Sequence, residues 1–223
     1  MTAEKPALYC SFDIEADGTN PMQHSMLGFG AALFSENPHI TLIDTFECTL
    51  TPQIDEKQQP FLSNPKTMDE FWKHHPKQLE FVRANTQTPA QAMNALANWL
   101  RKYDKYDIKW VARPANCDWM WLKCYYEKYG PSDKPDIGYY CHCLSSLIRA
   151  YCLIHNIYDQ KKFMLALSGN YAYTHRAIDD ATAQGVCYMN LRRLLNRKCH
   201  EKIQWDENGV SVVTRRFDFF VKP

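Results

Sequence analysis

Residues 7–15 read ALYCSFDIE, and the rest of the chain is best understood outward from them. In an extended chain, side chains alternate with a period of two. Leu8, Cys10, Phe12 and Ile14 therefore share one face, and Ala7, Tyr9, Ser11, Asp13 and Glu15 share the other. The two acids point the same way. Like charges so close repel unless something positive intervenes. Three arrangements answer that repulsion: a solvated face at a sheet edge, a Lys or Arg partner, or a bound cation. The strand is apolar on its other face and mostly small or aromatic before Asp13, which favours a central position in a sheet.

Asp17-Gly18 and Asn20-Pro21 mark a turn after this strand. Further strands are predicted around 26–34 and 40–51, completing an antiparallel meander. The polar stretch 53–66, with Pro60 and Pro65, reads as a loop. Helices are predicted at 67–74 and from Pro76 onward. Another follows Thr88-Pro89, an N-cap with a first-turn proline, and places Ala92, Leu96, Trp99, Leu100 and Tyr103 at helical spacing. A short strand at 109–112 leads to Asp118, at a turn or helix start, and to a helix that Gly130-Pro131 ends. A helix over 143–155, a loop over 161–173 and a long helix over 176–196 complete the main body; Ala177, Ala181, Tyr188, Leu191 and Leu195 form the stripe of the last. Asn208-Gly209, between two alternating runs, is a hairpin signal in the tail at 202–223. The reading is a single α/β domain over 1–223.

The chain has 223 residues, enough for a sizeable core. Lys and Arg number 26 against 25 Asp and Glu, a net charge of +1, which excludes a protein that coats nucleic acid by neutralising phosphates. It does not exclude an enzyme that grips a few terminal nucleotides and recruits positive charge as metal ions. No apolar run is long enough to span a membrane, and MTAEKP leads straight into a strand without a signal peptide. The nine Cys are then expected to be reduced thiols in a cytoplasmic protein. Cys141, Cys143, Cys152 and His155 are zinc-ligand types, but their spacing favours buried thiols.

Taken singly, the remaining polar candidates have ordinary explanations. Asp118 and Asp180 suit the starts of helices, where an acid caps or complements the dipole. His175 suits a surface or capping position, with Thr174 as an alternative cap. Within one helix His175 and Asp180 would lie about 140° apart; in a lead-in loop the imidazole can fold back over the face that Asp180 presents. In chain order, however, FDIEADG, ANCDWMWL and THRAIDDATAQG place a D-x-E strand, a strand-to-helix Asp and an H-x(4)-D helix opening in succession.

In these segments the chain resembles the DEDDh family of 3′→5′ exonucleases, and is similar to its small stand-alone bacterial and phage members. The resemblance covers about residues 9–195. It implies a ribonuclease H-like α/β fold, a central mixed five-stranded sheet with its first three strands antiparallel, flanked by helices. It implies two Mg²⁺ or Mn²⁺ ions held by Asp13, Glu15, Asp118 and Asp180, with Asp13 bridging and His175 as general base. The expected reaction hydrolyses single-stranded RNA or DNA from the 3′ end to nucleoside 5′-monophosphates. The terminal 3′-OH is expected against backbone at Ala16 to Gly18, with an aromatic near Trp72 holding the last nucleotides. Many members carry His-Asn before the second-motif aspartate; here Arg113 and Pro114 stand there. Some members are homodimers, and no exposed apolar stripe in this sequence requires one. The alternatives are a catalytically silent nucleic-acid- or protein-binding module on the same fold, and a phosphodiesterase of small nucleotides.

Overall fold

The computed structural model describes residues 5–36, 39–198, 204–206 and 209–211, with side chains described through Asn196. The alternating segment forms β1 (Ala7–Ala16). It is followed by β2 (Met26–Ser35), β3 (Thr41–Thr49), β4 (Asp107–Ala112) and β5 (Cys141–Cys143). These make one sheet of order β3-β2-β1-β4-β5, with β1 at its centre. β1–β2 and β2–β3 pair antiparallel; β1–β4 and β4–β5 pair parallel. The expected mixed five-stranded sheet is therefore present, with its first three strands antiparallel.

Both faces of the sheet are covered, so the alternation in β1 divides two cores rather than core from solvent. Leu8, Cys10 and Phe12 join Phe29, Ala31 and Leu33 of β2 beneath α3 (Pro89–Arg101) and α4 (Ala115–Tyr129). Tyr9, Ala32, Phe34 and Val111 meet α5 (Leu144–Ile154), α6 (Gln160–Ser168) and α7 (Ala177–Lys198) on the other side. Asp13 and Glu15 belong to this second face. The bare polar edge, one of the three arrangements open to them, is thereby excluded.

Local chemistry accounts for the helix starts. Thr88 and Gln91 form a reciprocal capping box at α3, with Pro89 in the first turn. The expected helix at 67–74 divides into α1 (Pro65–Glu70), capped by Asn64, and a 3₁₀ turn at Trp72–His74; α2 (Pro76–Arg83) follows. Trp72, Leu27 and Val82 form a small core that clamps this segment to the end of β2.

Two elements differ from expectation. The stretch 161–173 contains α6, which begins where the Asp159 carboxylate accepts from the Lys162 amide and ends at Gly169, φ +62°. Its few core side chains, Met164 and Leu167 among them, are too short a series to display a period. Cys141–Cys143 is an edge strand rather than loop or helix start, and α5 begins only at Leu144. In the tail, Gln204–Asp206 pairs antiparallel with Gly209–Ser211 as expected of a hairpin; the remainder of 202–223, Asn208 included, lies outside the described residues. No helix among the described residues is long and apolar enough to cross a membrane.

Candidate active site

Two corners of the fold meet over the C-terminal half of β1. The strand itself supplies Asp13 and Glu15. The β4–α4 corner supplies Asp118 in the first turn of α4. The α6–α7 corner supplies His175 from the lead-in and Asp180 from the first turn of α7. Carboxylate oxygens of Asp13, Glu15 and Asp180 lie within 4.8 Å of one another. Asp118 stands outside that triad, yet its charge raises the pKa of both Asp13 and Glu15. All four acids of the sequence reading are thus neighbours, with three in coordination reach of a common point. Among the described residues, no Cys or His group comes together in this way, so Cys141, Cys143, Cys152 and His155 form no such cluster.

Burial and mutual repulsion act in one direction here. Desolvation, then the charges of Asp118, Glu15 and Asp180, push Asp13 well above the usual carboxylate range, against a lowering hydrogen bond from Gln184. Glu15 is pushed up to about 8, by burial and then by Asp180 and Asp118. Burial raises Asp118 to about 7, opposed by backbone amides of Arg113 and Asp118 itself. Asp180 is raised by burial and lowered by the Thr174 and His175 amides. The Oδ2 atom of Asp118 is buried without a hydrogen-bond partner. An orphaned oxygen beside carboxylates that cannot all ionise cheaply is the electrostatic condition a cation relieves.

His175 occupies the loop before α7 with φ +59°, a left-handed conformation uncommon outside glycine and asparagine. That conformation is held from both sides. The amides of Thr174 and His175 donate to Asp180 Oδ1 at 2.7 and 3.3 Å. The imidazole packs against His75, ring centroids 4.3 Å apart, and edge-on against Phe71 at 5.1 Å. The lead-in geometry, rather than a continuous helix, brings the imidazole near enough to Asp180 for its charge to act on that carboxylate. Thr174 does not cap the helix: its hydroxyl donates to Asp179 at 2.8 Å.

Of the remaining sequence candidates, Trp72 and Gly18 are engaged by the protein itself, and Trp119, Trp121 and Arg192 are likewise held within it. Trp72 is fully buried and presents no free face to a nucleotide, which corrects its expected wedge role; instead its Nε1–H donates to the Ala16 carbonyl at 2.9 Å. The expectation failed because an aromatic at a turn also suits a small satellite core, and that is what it forms. The space beside Gly18 is filled by the His24 ring, so the glycine admits a side chain of the protein itself. Trp121 is core, and Trp119 packs on Phe12 and Trp110. Arg192, in the basic helix end, pairs with Glu36 at 3.0 Å and lies over Tyr9.

Sequence reading overlooked two features of this site. Gln184, one turn beyond Asp180 in α7, donates to Asp13 Oδ1 at 2.8 Å across 171 residues of chain. Gly28 and Gly30 lie opposite Glu15 and Asp13 in β2. A Cβ on Gly30 would strike the backbone of Ala177 and Ile178, so the bare glycine is the seat on which α7 starts. The signal was available: two glycines at i and i+2 in a strand leave one face flat.

No protein-family model and no curated protein matches the chain. Solved structures do. It aligns with the nuclease domain of 3′hExo, described as a DEDDh family member bound to rAMP, at TM-score 0.53 and 16% identity, covering 91% of this chain and 98% of that one. A full-length 3′-exonuclease aligns at TM-score 0.52 and 14% identity over 98% and 95%. The zinc-bound E. coli ExoI–ssDNA complex aligns at TM-score 0.56 and 15% identity over 87% of this chain but 42% of that one, so the chain spans less than half of ExoI. The class is therefore defined: an α/β protein of ribonuclease H-like fold. Within that class, the fold is shared with the nuclease domain of 3′hExo and with the full-length 3′-exonuclease.

Proposed function

We propose that this chain is a single-domain, metal-dependent 3′→5′ exonuclease that releases nucleoside 5′-monophosphates from single-stranded RNA or DNA. The observation that carries the reading is the meeting of Asp13, Glu15 and Asp180 at one point, with Asp118 beside them and His175 leaning in from the α7 lead-in. The fold shared with 3′-exonuclease domains supports it.

The donor set is all carboxylate, which suits hard divalent ions such as Mg²⁺ or Mn²⁺. The orphaned Asp118 Oδ2 and the raised acid pKa values fit the same occupant. We assign Asp13, Glu15, Asp118 and Asp180 as the residues that would hold two such ions. Bound there, such a pair supplies charge to the attacking and leaving oxygens and acidifies water.

The protein's own residues do the rest. Gln184 holds one oxygen of Asp13 and leaves the other to the cluster. Two backbone amides fix Asp180. His175, neutral, accepts a proton from the attacking water at a ring nitrogen, and Phe71 and His75 keep its ring from swinging away. We place the terminal 3′-OH against Ala16, the last residue of β1, whose carbonyl Trp72 holds in place, and against the turn that follows it to Gly18. The scissile P–O bond breaks towards the 3′-oxygen of the penultimate nucleotide, leaving a 5′-monophosphate.

The test is a purified protein mixed with a 5′-labelled oligonucleotide and Mg²⁺. A ladder of shortening bands that EDTA abolishes, absent with Asp13→Ala, is expected. An intact strand that nevertheless shifts on a native gel would instead identify a binding module.

A further inference from the structure

Arg113 stands beside the site, and the proposed chemistry does not use it. It follows β4 directly, at the corner that carries Asp118, and is half-buried. Its guanidinium carbon lies 5.2 Å from the ring centroid of Tyr173, two residues before His175. Arg113 thus bridges the two corners that bear Asp118 and His175. Other arginines at corners of this fold are spent on carboxylates: Arg176 on Glu47 at 2.9 and 2.5 Å, Arg192 on Glu36 at 3.0 Å, Arg101 on Asp133 at 2.9 Å. Among the described residues, no carboxylate lies within ion-pair distance of the Arg113 side chain and no hydrogen bond satisfies it. The nearby Asp118 takes a backbone hydrogen bond from Arg113 and feels the guanidinium charge, but forms no ion pair with it.

A guanidinium stacked on an aromatic ring keeps its planar fork of N–H donors free for a second partner. Here the open fork sits at the mouth of a cluster of acids. Among the described residues, the carboxylate it acts on, Asp118, lies beyond ion-pair distance. An incoming anion that must pass between the two corners is the natural partner, and a phosphodiester matches the bidentate geometry of guanidinium.

We propose that Arg113, positioned by Tyr173, binds a phosphate of one of the two 3′-terminal linkages of the substrate strand. The proposal rests on the exonuclease reading above and adds to it a substrate-binding residue. It takes the place of the His-Asn pair that Arg113 and Pro114 replace in the resemblance. Tyr173 is the positioning residue, and a strand is gripped at its end by charge that the neutral overall composition conceals.

The experiment measures strand affinity by fluorescence anisotropy with Ca²⁺ replacing Mg²⁺, strand integrity being checked on a gel. The strands are a phosphodiester oligonucleotide and a series in which one linkage at a time is a neutral methylphosphonate. Arg113→Met retains the apolar stem against Tyr173 and removes the charge. It is expected to weaken the unmodified strand about 10–100-fold, the range for a charge-assisted hydrogen-bonded contact. Neutralising one of the last two linkages should weaken the wild type by a similar factor and weaken Arg113→Met little further. Arg113→Lys should recover part of the loss as a point charge. Equal affinity of Arg113→Met and wild type, or losses that multiply at every linkage, would overturn the assignment. Melting curves confirm folding, and Arg113→Gln replaces Arg113→Met if the latter unfolds. A wild type that neither binds nor shortens any strand removes the exonuclease reading itself. A wild type that shortens strands, with no coupling between residue 113 and either terminal linkage, removes only this inference.

Discussion

Each buried acid of the cluster sets ionisation against folding. Glu15 has a folded pKa of about 8 against an ordinary 4.5, and Asp118 about 7 against 3.8. Between those ordinary and raised values the folded protein binds more protons than the unfolded chain. Stability then falls as pH rises, because the proton excess lies on the folded side. The metal-free protein is therefore expected to melt at a progressively lower temperature from about pH 4 to about pH 8 and to level off above. Saturating Mg²⁺ binds the ionised acids and should flatten or reverse that slope. Calorimetric scans in EDTA and in Mg²⁺ over this range check both; a metal-free melting temperature independent of pH would contradict the burial-driven shifts. At the same scale, His175→Ala should lower turnover by roughly 10²–10⁴, the range for a lost general base. Its Mn²⁺ affinity should stay nearly intact, since the imidazole is not among the ligands. Asp13, Glu15, His175 and Asp180 were legible in the chain because their chemistry lies in local order. Gln184 was not, because its partner is 171 positions away and only packing joins them. Trp72 was misread because a buried and a nucleotide-facing aromatic look alike in sequence.

Between elements, the decisive contact is the seating of α7 on β2. A Cβ on Gly30 would lie 2.6 Å from Ile178 Cα and closer still to two neighbouring backbone atoms, none of which can rotate away. Gly30→Ala should lift the first turn of α7 and carry Asp180 away from Asp13. The expected outcome is a stability loss of roughly 1–3 kcal/mol in urea, the usual cost of overpacking, together with weakened Mn²⁺ binding. Unchanged Mn²⁺ affinity in a folded variant would show that the helix start does not govern the cluster. The elements that sequence reading recovered are those with long periods or explicit caps: β1 by alternation, α3 by its N-cap and first-turn proline, α7 by its stripe. The elements it lost are short. β5 has three residues, and α6 has nine.

Across the molecule, the sheet and the acids are one structure. β1 is central, with an antiparallel partner on one side and a parallel one on the other, and the ends of three connections converge above it. The mixed order was legible from the early meander followed by helices. Which corner would meet which was not, because crossover geometry is decided by packing. A ligand that binds only the assembled cluster stabilises the whole fold by mass action. At a free Mg²⁺ concentration a hundredfold above its dissociation constant the gain is about 2.7 kcal/mol. For a chain of this size that corresponds to a rise in melting temperature of roughly 5–10 °C, measurable by scanning with Mg²⁺ and then EDTA. No shift at saturating Mg²⁺ or Mn²⁺ would mean that the cluster takes neither ion.

The four acids span the chain from residue 13 to residue 180, and the last arrives on α7, which ends at Lys198. Synthesis proceeds from the N-terminus, so a nascent chain that already carries Asp13 lacks its fourth carboxylate, its imidazole and the glutamine that steadies Asp13 until α7 is being made. A polypeptide emerging from a ribosome is surrounded by RNA. In this architecture the acid cluster stays unassembled throughout that exposure, and becomes complete only as the ordered body closes.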